Sequence, residues 1–312
     1  MRHAGTYKFV IALLLFWSVL VPASAFQDPP RKVFSSRSEV VIVHASVLDR
    51  KAQLVAGLPR EVFAVFENGQ PVPVSFFHNE DNPVTVGLVI DSSGSMQRKR
   101  DAVIAAGLAF ARSSHPQDEM FTVNFNEQVW KGLPPSTPFT TDFEQLRAAL
   151  QRSTTRGQTA LFDALRTALT HLGTGHLQKK VLIVVSDGGD NASTTKFEDV
   201  LNAALTMDAV IYTIGMYDQY DGDAKPNLLR KLAGSTGGAA YFPEDPADAT
   251  NILERIAREI RSGYTLGYVP ATGGEGYRAI RVEVRSPDGR KLSVRSRTGY
   301  IAGVSADNHD RH

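Results

Sequence analysis

The sequence has 312 residues, and 34 Lys and Arg against 33 Asp and Glu give a formal net charge of +1 at pH 7. This length suits one large domain plus a smaller one, and the near-neutral charge gives no indication of a nucleic-acid-binding surface. The chain has no cysteine, which excludes disulfides, cysteine-ligated zinc and thiol chemistry. We therefore expect a fold that is stabilised by its hydrophobic core.

Residues 1–25 have the pattern of a secretory signal peptide. Arg2 and Lys8 lead into an apolar run, and a small-x-small cleavage motif ends at Ala25. The run is shorter than the about 20 apolar residues that a membrane span needs. We expect a periplasmic or secreted protein with no membrane span after cleavage, and an uncleaved anchor is the alternative.

Two segments precede the first helical pattern. Residues 26–37 predict a linker, and residues 38–82 predict a β flank. Within the flank, Asn68-Gly69 stands between two apolar runs, which is a typical hairpin sequence. The predicted strands of this flank cover 40–48, 62–66 and 72–77.

Residues 83–263 alternate between strand and helix patterns. Short apolar runs typical of strands buried on both faces cover 84–90, 121–125, 181–185 and 209–214. Apolar residues at helical spacing lie between or after them, around 103–111, 161–172 and 252–260. This alternation predicts an α/β fold with a doubly wound, mostly parallel sheet.

After residue 264 the pattern returns to β, and residues 264–303 predict a second β flank with strands over 264–269, 277–284 and 291–297. The tail, 304–312, is polar and predicted to be disordered. Each flank is small for an independent β domain. We therefore expect the two flanks to form one smaller, β-sandwich-like domain, with the α/β domain inserted between them.

The candidate chemistry begins where the first strand of the α/β region ends. Asp91, Ser93 and Ser95 form a D-x-S-x-S pattern, which we expect in a surface loop, with Gly94 allowing the backbone to bend. In open α/β sheets ligands bind at the carboxyl ends of the strands. Alternate residues of such a loop can direct their oxygens to one point.

Two further loops are predicted at the same sheet edge. Thr159 follows Gly157 at the start of a helix, and Asp187 ends the third long strand. With the D-x-S-x-S loop they supply two carboxylates and three hydroxyls, which suit Mg²⁺, Mn²⁺ or Ca²⁺ better than zinc. Each piece alone could be a turn or a helix cap, but their combination predicts a metal site. We expect Asp190 and Asn191 to orient the Asp187 loop.

The stretch 83–262 resembles the von Willebrand factor type A domain, and all five metal positions match its metal-ion-dependent adhesion site. The wider chain resembles bacterial exported proteins described as VWFA-related, through VLDRKAQLVAGLPREVFAVFENG at 47–69 and TGYI at 298–301. The resemblance implies one divalent cation and a coordination position for an Asp or Glu of a partner protein. It also implies binding rather than catalysis.

Other functions remain as alternatives. The histidines match no catalytic spacing and the chain has no G-x-S-x-G motif, so a metal-assisted hydrolase is the weakest of them. A structural or assembly factor of the cell envelope, binding through its β flanks, is the main alternative to a metal-dependent binding module. We interpret the basic run at 97–100 as a solvated face, with attraction of an acidic partner as the alternative.

Overall fold

The computed structural model describes residues 40–79, 81–152, 155–217, 225–270, 274–286 and 289–303. The strands are β1 (Val41–Leu48), β2 (Phe63–Glu67), β3 (Gln70–Val72), β4 (Val74–His78), β5 (Thr85–Asp91), β6 (Glu119–Phe125), β7 (Val129–Lys131), β8 (Lys180–Ser186), β9 (Ala209–Gly215), β10 (Ala240–Tyr241), β11 (Tyr264–Tyr268), β12 (Gly276–Val284), β13 (Ser293–Ser296) and β14 (Gly299–Ala302). The helices are α1 (Arg100–Ser113), α2 (Phe143–Gln151), α3 (Leu161–Gly173), α4 (Phe197–Met207), α5 (Pro226–Thr236) and α6 (Ala249–Arg261).

Three predicted segments lie outside the described residues: the signal peptide, the linker at 26–37 and the tail at 304–312. Among the helices that are described, none is long and apolar enough to cross a membrane.

The α/β region forms a six-stranded sheet in the order β10-β9-β8-β5-β6-β7. All neighbours are parallel except β6 and β7, which confirms the predicted doubly wound, mostly parallel sheet. The chain adds β6 on one side of β5 and then β8 on the other. The strand order therefore reverses at β5, and such a switch point opens a crevice at the carboxyl ends of the strands.

Helices cover both faces of this sheet because each has an apolar stripe. On one face, α1 and α6 bury residues such as Val103, Phe110 and Ile256 against β5 and β8. On the other face, α3, α4 and α5 bury residues such as Leu165 and Leu229. Burying one such side chain contributes about 1.5–3 kcal/mol, so the two apolar layers hold the sheet rigid beneath its loops.

The two flanks combine into a pair of four-stranded antiparallel sheets, ordered β13-β1-β11-β4 and β14-β12-β2-β3. Each sheet contains strands from both ends of the chain. The sheets share one apolar core, which includes Val43, Val65, Leu266 and Ile280. The expected β-sandwich-like fold built from both flanks is confirmed.

The structure adds short strands that were not predicted, β7, β10 and β14, and it divides one predicted strand. The predicted strand at 72–77 is two strands separated by Pro73, so that β3 pairs with β2 and β4 pairs with β11 of the other sheet. Proline has no N–H to donate to a ladder, and the chain changes sheets there. The hairpin is as expected, with φ of 48° at Asn68 and 81° at Gly69, both left-handed.

A buried carboxylate organises the sandwich core. Glu67 pairs with Arg278, with 3.0 Å between Oε1 and Nη1. The hydroxyls of Tyr268 and Tyr300 donate to Glu67 Oε2 at 2.6 and 3.0 Å. Burial of a charge is tolerated when it is both paired and hydrogen-bonded, and this cluster joins strands from both flanks.

The sandwich and the α/β region pack as one compact unit, and Glu259 of α6 lies at their contact. Its side chain is fully buried, and its Oε1 accepts hydrogen bonds from Ser46 Oγ at 3.0 Å and Tyr212 Oη at 2.9 Å. The same oxygen pairs with the Arg295 guanidinium. One carboxylate of the α/β region therefore binds β1 and β13 of the sandwich.

A second polar group lies at the same contact. Asp208, at the end of α4, pairs with Arg297, with 3.1 Å between Oδ1 and Nη1, and burial raises its pKa to about 7. Burial lowers the pKa of Lys179 to about 8 and lowers that of His44 well below its usual value. Charges in this contact are therefore held at a cost in desolvation.

Candidate metal centre

Asp91 is the last residue of β5 and is only 3% exposed. The expectation that it lies in a surface loop is wrong, because the strand continues one residue further and the loop begins after it. Its Oδ1 accepts a hydrogen bond from the Ser93 backbone N–H at 2.8 Å, and its Oδ2 accepts one from Ser186 Oγ at 2.6 Å. Both carboxylate oxygens are therefore fixed by neighbouring donors.

Burial, and then the nearby charge of Asp187, raise the pKa of Asp91 to about 6. The hydrogen bonds from Ser186 and Ser93 oppose this increase. Two carboxylates held close together in a buried place favour a proton or a cation between them.

The serine loop connects the two carboxylates. Gly94–Met96 form a short 3₁₀ helix after Ser93, which places the Ser93 and Ser95 Oγ atoms 3.2 Å apart. Ser95 Oγ donates to Asp187 Oδ2 at 2.5 Å. The loop after β5 and the loop after β8 thus meet through side-chain oxygens.

Asp187 is held from its other side by its own loop. The Gly189 N–H donates to Asp187 Oδ1 at 3.0 Å, and the Gly188 N–H donates to Ser186 Oγ at 3.0 Å. Gly188 has a φ of 80°, which glycine adopts at little cost. The carboxylate is 3% exposed, so its position is set by the backbone around it.

The third loop is joined to the other two by backbone contacts. The Gly94 N–H donates to the Gly157 carbonyl at 3.1 Å. The Thr159 N–H donates to Asn191 Oδ1 at 2.9 Å, and the Asn191 N–H donates back to the Thr159 carbonyl at 3.0 Å. Asn191 therefore ties the Thr159 loop to the loop after β8. Asp190 contacts the turn that follows, where its Oδ1 accepts from the Ser193 N–H at 3.3 Å.

The donor chemistry of this place fits a divalent cation. Within the described ranges, no group of three or more His, Asp or Glu side chains could hold a metal ion. The candidate centre has two carboxylates, Asp91 and Asp187, beside the hydroxyls of Ser93 and Ser95. Hard oxygen donors match Mg²⁺, Mn²⁺ or Ca²⁺. Neutral hydroxyls neutralise little of a cation's charge, and this leaves the cation attractive to an external anion.

The candidate centre is open to solvent on one side. Ser95 and Gly94 are exposed, whereas Asp91, Ser93, Thr159 and Asp187 are buried. A ligand can therefore approach over the serine loop, and Gly157 and Gln158 of the neighbouring loop are exposed as well.

Two side-chain contacts of the loops around the centre were not predicted from the sequence. Lys99 is 4% exposed and its Nζ donates to the Met216 carbonyl at 2.7 Å, so the interpretation of 97–100 as a solvated face is wrong at this residue. Glu127, just after β6, accepts the Gln158 N–H at 2.8 Å. A Cβ on Gly157 would lie 1.5 Å from the same carboxylate oxygen. No local sequence pattern predicts either contact.

A family comparison identifies the class of protein. The model of the von Willebrand factor type A domain matches residues 85–255, more than half of the 312 residues. The chain belongs to the von Willebrand factor type A domain family. Domains of this family are commonly protein-interaction modules with a metal-ion-dependent adhesion site.

Solved structures show the same fold at low sequence identity. A von Willebrand factor type A protein from Catenulispora acidiphila is 16% identical with a TM-score of 0.53, over 85% of this chain and 75% of that one. Proximal thread matrix protein 1 of the mussel byssus is 15% identical with a TM-score of 0.50, over 67% and 51% of the two chains. Another structure of the mussel protein, with a TM-score of 0.46 and 15% identity over 57% and 48% of the two chains, has a zinc-occupied MIDAS motif. No curated protein sequence matches the chain significantly.

Proposed function

We propose that this chain is an exported, non-catalytic protein-binding module that holds one divalent cation and uses it to bind an acidic side chain of a partner protein. The ligands are Asp91, Ser93, Ser95, Thr159 and Asp187, and the cation is Mg²⁺, with Mn²⁺ or Ca²⁺ as alternatives. When bound, the cation supplies a positive charge and a coordination position for the partner's Asp or Glu. We propose a periplasmic or secreted location from the sequence of residues 1–25.

The convergence of four side chains, from the end of β5, the serine loop and the loop after β8, carries this proposal. Ser95 Oγ lies 2.5 Å from Asp187 and 3.2 Å from Ser93 Oγ, and Asp91 is fixed beside them. The serine loop is exposed, so a partner's carboxylate could reach the cation over it. Such a contact, desolvated by the surrounding interface, contributes to affinity as a hot spot.

The charge around the opening supports an acidic partner. Arg98 and Arg156 are exposed on the loops that border Ser95, and Glu127 is exposed nearby. The Arg156 N–H donates to the Ser92 carbonyl at 3.0 Å, which keeps this arginine beside the serine loop. Two exposed arginines beside the serine loop favour association with a negatively charged surface.

The metal part of the proposal is tested with Asp91→Asn, which keeps the shape of the buried side chain and removes its charge. Titration calorimetry with Mg²⁺, Mn²⁺, Ca²⁺ and Zn²⁺ should detect binding to the wild-type protein and a loss of at least about tenfold in the variant, because a charged ligand is lost. Asp101→Asn, at an exposed position of α1, is the control. Equal affinity of Asp91→Asn and wild type for every ion would refute the assignment.

The partner part is tested by capture from an envelope extract with wild type, Asp91→Asn and Asp101→Asn, in Mg²⁺ or after chelation. We expect a protein retained only with Mg²⁺ and only by wild type and Asp101→Asn. We also expect Thr159→Ala to weaken partner binding more than metal binding, because Thr159 lies on a loop separate from the serines. Equal losses in the two affinities would make Thr159 an ordinary ligand.

One observation favours the alternative of binding through the β flanks. Val40 and Phe76 are 47% and 41% exposed, and their side chains lie over Gly267, within 3.1 Å of where its Cβ would be. Phe76 is on β4, the edge strand of its sheet, and an exposed apolar edge can accept a partner strand. A partner that binds undiminished after chelation but is lost in Phe76→Ser would support this alternative.

A further inference from the structure

A basic groove lies at the end of the molecule away from the candidate metal centre. It is a cavity of about 820 Å³, and its lining includes Lys51, Gln53, Asp81, Arg255, Arg258 and Arg261. The arginines come from the last two turns of α6, and Asp81 precedes β5. The groove is thus at the amino ends of the strands, whereas the metal ligands follow the carboxyl ends.

Two of the arginines are held in place by protein atoms. Arg255 Nη2 donates to the Ala52 carbonyl at 2.6 Å. Arg261 donates to Asp81 Oδ2 through Nε at 2.7 Å and lies 2.6 Å from it through Nη2. Each guanidinium has five N–H donors, so both retain donors beyond those used by the protein.

The loop opposite α6 is also ordered. Asp49 Oδ1 accepts the N–H groups of Lys51 at 2.8 Å and Gln53 at 2.9 Å. Ala52 between them has a φ of 56°, a left-handed conformation that L residues with a side chain adopt at a cost. The loop therefore presents the Ala52 carbonyl to Arg255 and keeps Lys51 at the groove wall.

The charge in the groove is not balanced. Among the residues that the structure describes, Asp81 is the one carboxylate against four cations in the lining. Over the described part of the chain, the side chains of Arg258 and Lys51 make no hydrogen bond or ion pair, and both are exposed. The whole chain has a net charge of only +1, so this is a local concentration of positive charge and not a property of the surface in general.

We propose that the basic groove binds a phosphate-bearing anion. Planar guanidiniums bind phosphate oxygens in a bidentate manner, and Asp81, the described carboxylate of the lining, neutralises only one of its four cations. The cavity falls within the 300–1,000 Å³, approximately, of typical small-molecule sites, so it can also hold the group to which the phosphate is attached. This site is independent of the candidate metal centre.

The proposal is tested by titration calorimetry of the full chain with inorganic pyrophosphate in metal-free, low-salt buffer. We expect saturable binding to wild type and a loss of about tenfold or more in Arg258→Glu, since a charge-assisted contact becomes repulsive. Among the described residues the Arg258 side chain is exposed and makes no hydrogen bond or ion pair, so circular dichroism should be unchanged. Arg166→Glu, with the same charge change at an exposed position of α3, should bind like wild type. Asp91→Asn should also bind like wild type.

The absence of saturable pyrophosphate binding, or an equal loss in Arg166→Glu and Arg258→Glu, would overturn the proposal. Two further probes identify the source of the phosphate. A lipid headgroup is indicated if the protein co-sediments with phosphatidylglycerol vesicles but not with phosphatidylcholine vesicles. The Arg258→Glu variant should then co-sediment less with the phosphatidylglycerol vesicles. A soluble ligand is indicated if wild type binds glycerol phosphate and if its binding to vesicles does not depend on Arg258.

Discussion

Glu259 couples the sandwich to the α/β region, and its replacement by alanine should destabilise the whole protein. The carboxylate is fully buried and accepts from Ser46, Tyr212 and Arg295 through a single oxygen. Alanine would leave the Arg295 guanidinium without its partner in a place where its side chain is only 23% exposed. Breaking a buried ion pair in this way costs about 3–5 kcal/mol.

The magnitude is limited by the partial exposure of Arg295, which lets water compensate some of the lost interaction. The two hydroxyl donors add to the loss, because hydrogen bonds to charged groups contribute about 1.5–3 kcal/mol each but are not additive within one network. We expect about 4 kcal/mol for Glu259→Ala. For Glu259→Gln, which keeps an acceptor oxygen and loses the charge, we expect about half of that.

The assay is equilibrium unfolding in urea, followed by far-ultraviolet circular dichroism and by tryptophan fluorescence. Glu254→Ala, on the same helix at a partly exposed position, should change the free energy of unfolding by less than about 0.5 kcal/mol. A loss below about 1 kcal/mol, with coincident probes, would contradict this account of the contact.

Three other predictions concern the same fold. The pKa of His44 is lowered by burial, so the unfolded chain takes up a proton near pH 6.5 before the folded chain does. Stability from this group is therefore present above that pH and is lost below it. Between pH 7.5 and 5.5, the free energy of unfolding should fall less in His44→Gln than in wild type. Tyr300→Phe removes a hydrogen bond to a buried carboxylate and should cost about 1.5 kcal/mol in urea unfolding. Tyr277→Phe, at a side chain that is 57% exposed, should cost little, and equal losses in the two tyrosine variants would be inconsistent with the network. Fragment 81–263 should fold alone and 26–80 should not, because the strands of 26–80 pair with strands from the other flank; cooperative unfolding of 26–80 would contradict this.

The sequence alone determined the architecture where periodicity was strong. Strands buried on both faces are continuous apolar runs, as in β5 and β8, and the stripe of α3 has the spacing of a helix packed on a sheet. Parallel strands place their carboxyl ends at one edge of the sheet, so the sequence predicts that Asp91, Ser95 and Asp187 lie close together. The pairing of the flanks also followed from their small size.

Only the tertiary structure decided which polar groups are buried and with whom they pair. Glu67 and Glu259 have no local pattern that separates them from surface glutamates, yet both are buried among partners from distant parts of the chain. Lys99 belongs to a basic run and is buried through contact with Met216. Such pairings depend on which segments meet in space, because a charge is retained in the interior only where a specific partner compensates its lost hydration. The periodicity of a sequence indicates which side chains of a helix or strand face the apolar core. It contains no information about the partners of buried polar groups.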